Sequence, residues 1–568
     1  MSQFKKKLSA FTAMIAFLSL TGASAMANNY FVGQMDGKTN NMNLTQSGNR
    51  LDIENLGGKG AVGQVDWKSF NVGKGQHVNF GFNGLSQTII NRVLGGQQSN
   101  ILGKLTSSCA GCGNCSSYNE SGKVLFINPA GVLFGNGSMV DINSFTASTF
   151  DVKGAKNLSS LSKEALDKYQ IDILNKMSPI ASVRNDGTTG GTGYITLDSN
   201  YTQAFKEAGI KINDAAAITA NGATFAKLNA DGTISDGLNT NKTVAFVANN
   251  INYKDSLIRT GDLYNSKTGS SQYSMGNVKL ITADGVTFGY NNQGYSNSTK
   301  SVAEDTKTNV TRNINIDNSG LGEKELAINS GEIQIINKTN AKNSNVKISN
   351  TLMKANKLIN TTSGDIIIQS THDIDIDNSR IHTANSKEIN GTNNTEAQKG
   401  GKVTIKSTGD GNVNIDDSLI LTASGTGATA SANNAGGALI ASNGGNVNMS
   451  NTEVVAQGNT EIQAGKQVKL NNSFVYAKNL KDTANAKNIK ITAGEKVNIH
   501  NSGLHAQKDI DIATVTSDNK LTGEVIISSD LDSKGKSQTL IVANNNLSIQ
   551  GANTKLDNAA VVYDTITV

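Results

Sequence analysis

Six stretches in the second half of the chain share one pattern of polar and apolar positions. They are "NVKISNTLMKA" from Asn345, "DIDIDNSRIHTA" from Asp373, "NVNIDDSLILTA" from Asn412, "NVNMSNTEVVA" from Asn446, "QVKLNNSFVYA" from Gln467 and "KVNIHNSGLHA" from Lys496. Each alternates polar and apolar residues, reaches an Asn/Asp then Ser/Thr pair, and ends on a second apolar pair. A period of two is a strand with one buried face. The copies start 28, 39, 34, 21 and 29 residues apart. The shortest spacing is one full coil, and the others carry insertions such as the Gly/Ala/Ser/Asn-rich stretch 424–437. Shorter strands at Gly364–Gln369 and Lys402–Lys406 fill the gaps between units. A unit this small buries its apolar face only by stacking on its neighbours. Stacking also sets Asn350, Asn378, Asp417, Asn451, Asn472 and Asn501 at one corner, where a ladder of side-chain hydrogen bonds between buried partners is expected along the axis. The pattern predicts an all-β fold, a right-handed parallel β-helix. At about 20–25 residues and about 4.8 Å per coil, the 541 residues from Asn28 onward would make a rod roughly 100–130 Å long.

Two stretches depart from the period of two. Between Leu158 and Met177, apolar residues fall at 161, 165, 166, 169, 173 and 174, which is helical spacing. A short helical insertion lying on the rod is expected there, with a hinge between domains as the alternative. At the N-terminus, Lys5–Lys7, the apolar run Phe11–Leu20 and the small residues around Ala25-Met26-Ala27 form the three-part signature of a secretory signal peptide over residues 1–27. Its apolar run is too short to span a bilayer, so export without a helical anchor is expected.

Composition narrows the function classes. Glycine counts 58, proline 2 and tryptophan 1, and aromatics make up 5% of a chain in which Val and Ile recur throughout. That excludes disorder and argues against a compact enzyme of this size. The net charge of +5 is weak, and six arginines stand against 45 lysines, which disfavours a phosphate-reading surface. Nucleic acid is not an expected partner.

One of the two prolines stands in "FINPAGVLFG", residues 126–135. Asn128-Pro129-Ala130-Gly131 fits a type I turn, with Asn first, Pro second and Gly fourth. Apolar runs on both sides make this turn a corner between buried strands. Together, "NRVLGGQQSNILGKL" (91–105), "GKVLFINPAGVLFGNGSMVDI" (122–142) and "FTASTFDV" (145–152) resemble the haemagglutination-activity secretion domain of filamentous haemagglutinin-type two-partner secretion exoproteins. "WKSFNVG" (67–73), "VAFVANNINYKDSLIRTGDL" (244–263) and "GNVKLITADGVTF" (276–288) are similar to that family's early and closing segments. Ala130 stands where the family often has Asn, and Asn91-Arg92 lacks the proline of a second Asn-Pro motif.

The resemblance implies a secretion domain over 28–295, followed by a repeat stalk over 296–568. It implies Sec export, then passage through a dedicated outer-membrane barrel transporter with POTRA domains, and a secreted or cell-surface location. By resemblance the secretion-motif residues are Asn91, Arg92, Ser99, Gly103, Asn128, Pro129, Gly131, Phe134 and Gly135. Whether they act through backbone geometry or by touching the transporter is left open by the sequence.

Catalytic chemistry finds little support. His77, His372, His382, His500 and His505 form no metal-ligand pattern, and no nucleophile elbow or phosphate loop is present. Asp373, Asp375 and Asp377 share one strand face and would suit a cation or an acid/base pair, but the other units replace Asp375 by Asn or Lys. No cofactor, metal or catalytic residue is expected. Cys109, Cys112 and Cys115 crowd into "SSCAGCGNCSSYNESG" without a nearby histidine; one disulfide and one remaining thiol are expected. The expected function is an adhesin that presents a long surface to a receptor or glycan of a host or neighbouring cell. A cytolysin of the same export family is the alternative, and a polysaccharide-active β-helix enzyme a third.

Overall fold

The computed structural model describes residues 34–567 apart from 41, 58–60, 84–86, 110–121, 170–192, 200–212, 230, 232–233, 235–242, 261–275, 291–297, 304–309, 322–326, 356–363, 384–400, 423–435, 479–486, 517 and 519. The proposed signal segment lies outside the described residues.

Three long sheets wrap one core. Sheet A has sixteen strands, from Gln34–Asn40 to Thr565–Thr567; sheet B has sixteen, from Met42–Ser47 to Ala560–Val562; sheet C has thirteen, from Ser99–Ile101 to Asn553–Asp557. The chain visits A, then C, then B, and returns to A one coil further on, so neighbouring strands within each sheet are parallel. The architecture is a three-sided parallel β-helix. At the amino end the first strands run the other way: Gln34–Asn40 pairs antiparallel with Val62–Ser69, and Met42–Ser47 with Arg50–Asn55.

Coils stack in register. In sheet C, Ile374 faces Val413, which faces Val447, then Val468, Val497 and Val525. All six point inward and are fully buried. β-Branched residues suit this surface because their stiff side chains pack one above the next along the axis. The sixteen strands of sheet A span fifteen gaps of about 4.8 Å, roughly 70 Å. The rod is therefore shorter than the sequence estimate. The longest separations between consecutive strands fall chiefly at the B-to-A edge, where the strand ending at Cys109 is followed by one beginning at Lys123, Thr383 by Val403 and Thr422 by Ala438.

The other diversion is a side structure on sheet A. Asp151–Val152, Gly193–Asp198, Gly285–Tyr290 and Ser298–Ala303 form a fourth, antiparallel sheet. Within the expected helix of 158–177, a single 3₁₀ turn covers Leu158–Ser160 and an α-helix covers Lys163–Tyr169, and residues 170–177 lie outside the described residues. Asn157 caps the 3₁₀ turn, accepting from Ser159 N, and Leu161 ends it in extended backbone. This side structure closes a second apolar core over the outer face of sheet A, with Ile90, Leu125, Ile127, Phe150, Leu158, Tyr169 and Phe288 among its members. Residue 295 lies outside the described residues, and Asn277–Thr282 pairs directly with Glu332–Asn337.

Candidate functional site

The Asn128–Gly131 turn joins Lys123–Ile127 of sheet A to Val132–Phe134 of sheet C. Gly131 N donates to Asn128 O at 2.9 Å, closing the turn. The Asn128 side chain is fully buried and fully used. Its Oδ1 accepts from Ala130 N at 2.9 Å, and its Nδ2 donates to Gln97 O and Ser99 Oγ, both at 2.9 Å. Asn128 thus ties its own coil to the preceding one. Pro129 is buried as well. Gly131 has φ +104°, and a Cβ there would stand 2.9 Å from Ala217 O of the following coil. Gly103 is equally hemmed in, since a Cβ would meet Gln76 O at 2.3 Å. Gly135 N donates to Ile101 O at 2.9 Å. Phe134 sits inside the coil with its ring 5.2–6.0 Å from those of Phe145, Phe225 and Phe246.

Asn91 and Arg92 point to opposite sides of one sheet A strand, Thr88–Val93. Asn91 faces inward and accepts from Trp67 Nε1 at 3.1 Å. Trp67 stacks edge-on with Phe70, and Phe70 with Phe126, so the early aromatic segment anchors the same core. Arg92 faces outward but is fully covered by the side structure. Its guanidinium grips Asp151 with two bonds, Nε to Oδ1 at 2.9 Å and a terminal nitrogen to Oδ2 at 2.8 Å. The other terminal nitrogen reaches Asp66 Oδ1 at 3.2 Å and Lys156 O at 2.8 Å. Asp66 Oδ2 accepts from Leu158 N at 2.8 Å, and Gln64 Nε2 donates to Asp66 at 2.8 Å. Tyr169 OH donates to Gln64 Oε1 at 2.9 Å and accepts from Lys156 N. Arg92 is therefore the hub that fastens the short helix and its sheet to the rod.

The charges here are desolvated. Burial pushes the Asp66 and Asp151 carboxyls up despite the guanidinium beside them. Burial opposes the charge on Arg92, but Asp151 and Asp66 outweigh it and hold the group protonated. Lys123, at the start of the next sheet A strand, is brought down to about 7 by burial.

Sequence reading found Arg92 but missed its partners Gln64, Asp66, Asp151 and Tyr169, and it missed a second hub. Arg312 is also fully buried, bonds Asn249 and Asp284, and lies 5.5 Å from the Phe150 ring. The signal was available: an arginine in a chain of 45 lysines marks a place where a planar, forked donor is wanted.

The stacked corner lies elsewhere, between sheets C and B. Asn350, Asn378, Asp417, Asn451, Asn472 and Asn501 all fall there in left-handed backbone, φ +43° to +52°, joined by Asp255 and Asn558. Asn and Asp tolerate this conformation better than other non-glycine residues. The expected buried amide ladder is displaced by one residue. These side chains sit at the surface: Asn378 Nδ2 donates to Asn350 Oδ1 at 2.8 Å, and Asn472 Nδ2 to Asn451 Oδ1 at 3.4 Å, but Asp417 has no N–H to continue the chain. The buried ladder belongs to the next position, because a left-handed residue turns its own side chain outward and its successor inward. Ser379 Oγ accepts from Thr351 N at 3.1 Å, and Ser418 Oγ from Ser379 N at 3.1 Å; Thr452, Ser473 and Ser502 repeat the link. Each serine hydroxyl also donates within its own coil, as Ser379 Oγ does to Asp377 O at 2.7 Å.

Of the expected carboxylate face, Asp373 accepts from Asn412 N and Asp375 from Asn414 Nδ2, while Asp377 is exposed. Asp377, Asp416 and Asp417 approach one another closely at the surface. Cys109 is disulfide-bonded; Cys112 and Cys115 lie outside the described residues.

The coil carrying Asn128, Pro129 and Phe134 lies within a stretch that matches a known family model. The model described as TPS secretion domain matches residues 33–366, more than half of the chain. This chain belongs to the TPS secretion domain family. It is a two-partner-secreted exoprotein. Among curated proteins it is similar to the heme/hemopexin-binding protein of Haemophilus influenzae strain Rd, 25% identical over 191 residues, 30% of this chain and 19% of that protein. A second Haemophilus influenzae heme/hemopexin-binding protein is 34% identical over 90 residues, 16% of this chain and 8% of that one. The chain thus spans under a fifth of the curated relatives it matches. Among solved structures, the HMW1 secretion domain from Haemophilus influenzae superposes with a TM-score of 0.40 at 14% identity, covering 92% of this chain and 97% of that one. The filamentous hemagglutinin secretion domain gives 0.33 at 11% identity, covering 77% and all of that chain.

Proposed function

We propose that this TPS exoprotein is a non-enzymatic adhesin. In this reading, Sec export precedes passage through a dedicated outer-membrane POTRA-barrel transporter, and the rod is held outside the cell to bind a surface receptor or glycan. The observation that carries the reading is the unbroken in-register stack, which lines up outward side chains in columns along the rod. A binding surface built from columns grows with every coil. Purified secreted protein should bind host or neighbouring cells saturably and block adherence of the producing bacterium. No binding to any cell type would overturn the adhesin reading.

The burial of Asn91, Arg92, Asn128 and Pro129 supports one mode of recognition: the transporter reads these residues before the coils close. Export should then be inhibited by an unfolded amino-terminal chain and not by the folded protein. Equal inhibition by both would favour contact with the finished surface. A second reading, capture of a haem-carrying protein, is favoured by the name of the two Haemophilus relatives. Its test is retention of haem-loaded hemopexin on the immobilised exoprotein.

A further inference from the structure

The left-handed corner has a consequence beyond folding. Along most of the rod it joins sheet C to sheet B through two residues, as Asn350-Thr351, Asn378-Ser379, Asp417-Ser418 and Asn451-Thr452 do. At these coils the corner pair is all that separates the two strands, which leaves a notch between them. It forms an open trough of about 630 Å³ running along the axis past five coils, from Asn318 to Asn451. Ser319 and Leu321 stand at its amino end, and Phe474 lies beside Glu453 in the next coil at the other.

The two walls differ in chemistry. One is the column of corner carboxamides and carboxylates, Asn350, Asn378, Asp417 and Asn451. The other is the outward face of sheet B, where Leu352 and Leu419 line the trough and Phe474, 43% exposed, extends it with Tyr476 stacked beside it at 6.5 Å. The corner column repeats once per coil, about every 4.8 Å, close to the span of one pyranose ring, while the sheet B column runs Leu352, Arg380, Leu419, Glu453, Phe474 and so offers an apolar side chain at every second coil. The charge is one-sided. Arg380 is outnumbered by Asp417 and Glu453 in the trough and by Asp377 and Asp416 at its lip.

We propose that this trough binds an extended neutral polysaccharide, one sugar per coil. The carboxamides and carboxylates take the hydroxyls along the chain's edge, and Leu352, Leu419 and Phe474 take the apolar face of every second ring, with Arg380 and Glu453 bonding hydroxyls between them. The excess of four carboxylates, Asp377, Asp416, Asp417 and Glu453, over Arg380 repels sulfated or sialylated chains, so polyanions are disfavoured. The proposal rests on the adhesin reading and names its ligand class and site.

The test uses the full secreted protein and six probes by calorimetry: cellohexaose, mannohexaose, chitohexaose, a heparin hexasaccharide, hexameric sialic acid and hexalysine. At least one neutral hexasaccharide should bind. Replacing Asn378→Gly together with Asp417→Gly keeps the left-handed backbone and removes the side chains, and should weaken binding about tenfold or more. Lys490→Ala, on the outward face of sheet A, should leave it unchanged. Leu419→Ala serves as a second trough variant should the double variant misfold. Binding of no neutral probe, equal binding by the trough variants, or tighter binding of either polyanion or of hexalysine overturns the proposal. Cell adherence by the same variants separates the two ideas. If adherence survives while the trough is empty of glycan, only this site falls. If no cell is bound, the adhesin reading falls too.

Discussion

Sheet A is two different sheets at its two ends. In Thr88–Val93, Lys123–Ile127 and Ser144–Ser148 every residue is buried. In Ile366–Ser370, Val403–Ser407 and Thr460–Ala464 burial alternates strictly. The backbone ladder is the same in both, yet the first set is covered on its outer face and the second is bare. A strand covered on both faces must accept whatever the cover demands, and here the buried outer face holds charge: Lys123, Arg92 and Asp66 on sheet A and, across the interface, Asp151. The carboxy-terminal coils carry apolar residues inward and leave their polar residues in water. The difference teaches that coil stacking by itself needs only a two-residue rhythm, and that the secretion domain adds a costlier polar interface to hold its side structure.

Removing the hub tests this most severely. Arg92→Met leaves Asp66 and Asp151 buried without their partner and should cost about 3–5 kcal/mol. Trp67 is the only tryptophan and lies in the amino-terminal core, so its fluorescence reports that end alone during urea unfolding. Arg380→Met, on the exposed face of sheet B, should change stability by less than about 0.5 kcal/mol. Equal effects would erase the distinction between the two ends.

Lys123 gives the next largest effect and a pH signature. Its folded pKa of about 7 lies below the ordinary 10.5. Between those values the folded chain holds fewer protons than the unfolded one, so stability rises with pH across that window and the penalty is complete below it. Lys123→Met should therefore be more stable than the natural chain at pH 6, with the gap closing toward pH 10.5. A gap independent of pH would mean that the lysine is not charged and desolvated in the fold.

In the carboxy-terminal coils the sensitive groups are small hydroxyls. Ser473→Ala strands the amide of Thr452 in a buried ladder and should cost about 1–3 kcal/mol. Asn472→Gly, one residue earlier and exposed, should cost a few tenths of that, because glycine keeps the left-handed turn. Reversal of this order would return the buried ladder to the asparagines.

The smallest effect belongs to the cysteines. The disulfide at Cys109 can only close a short loop, since Cys112 and Cys115 are the only other cysteines. Changing all three to serine should leave β-sheet circular dichroism and export yield within error, as closure of a short loop contributes little.

The sequence made some of this legible and hid the rest for physical reasons. The repeats in the second half betray themselves because each coil obeys one rule, alternation plus an Asn/Asp corner. Asp255 and Asn558 obey it too but sit in units whose flanks are less regular. The turn at Asn128 could be read because proline and glycine have narrow conformational uses. The partnership of Arg92 with Asp151 could not, because 59 residues and a change of sheet separate them. The start of the short helix was set too early because apolar spacing alone does not reveal where a cap or an extended residue such as Leu161 intervenes.

The antiparallel strands at the amino end carry a last consequence. Gln34–Asn40 and Met42–Ser47 occupy the outer edges of sheets A and B and run against the strands they cover, so two of the three amino-side edges are closed by antiparallel strands. Each completed coil instead offers three fresh edges on its carboxy side. Assembly therefore has a direction, the same direction in which a chain threaded amino end first would arrive. Every turn that closes is bonded to the one before it and cannot slip back without breaking three rows of hydrogen bonds. The fold is a one-way winch, and its drum is the protein itself.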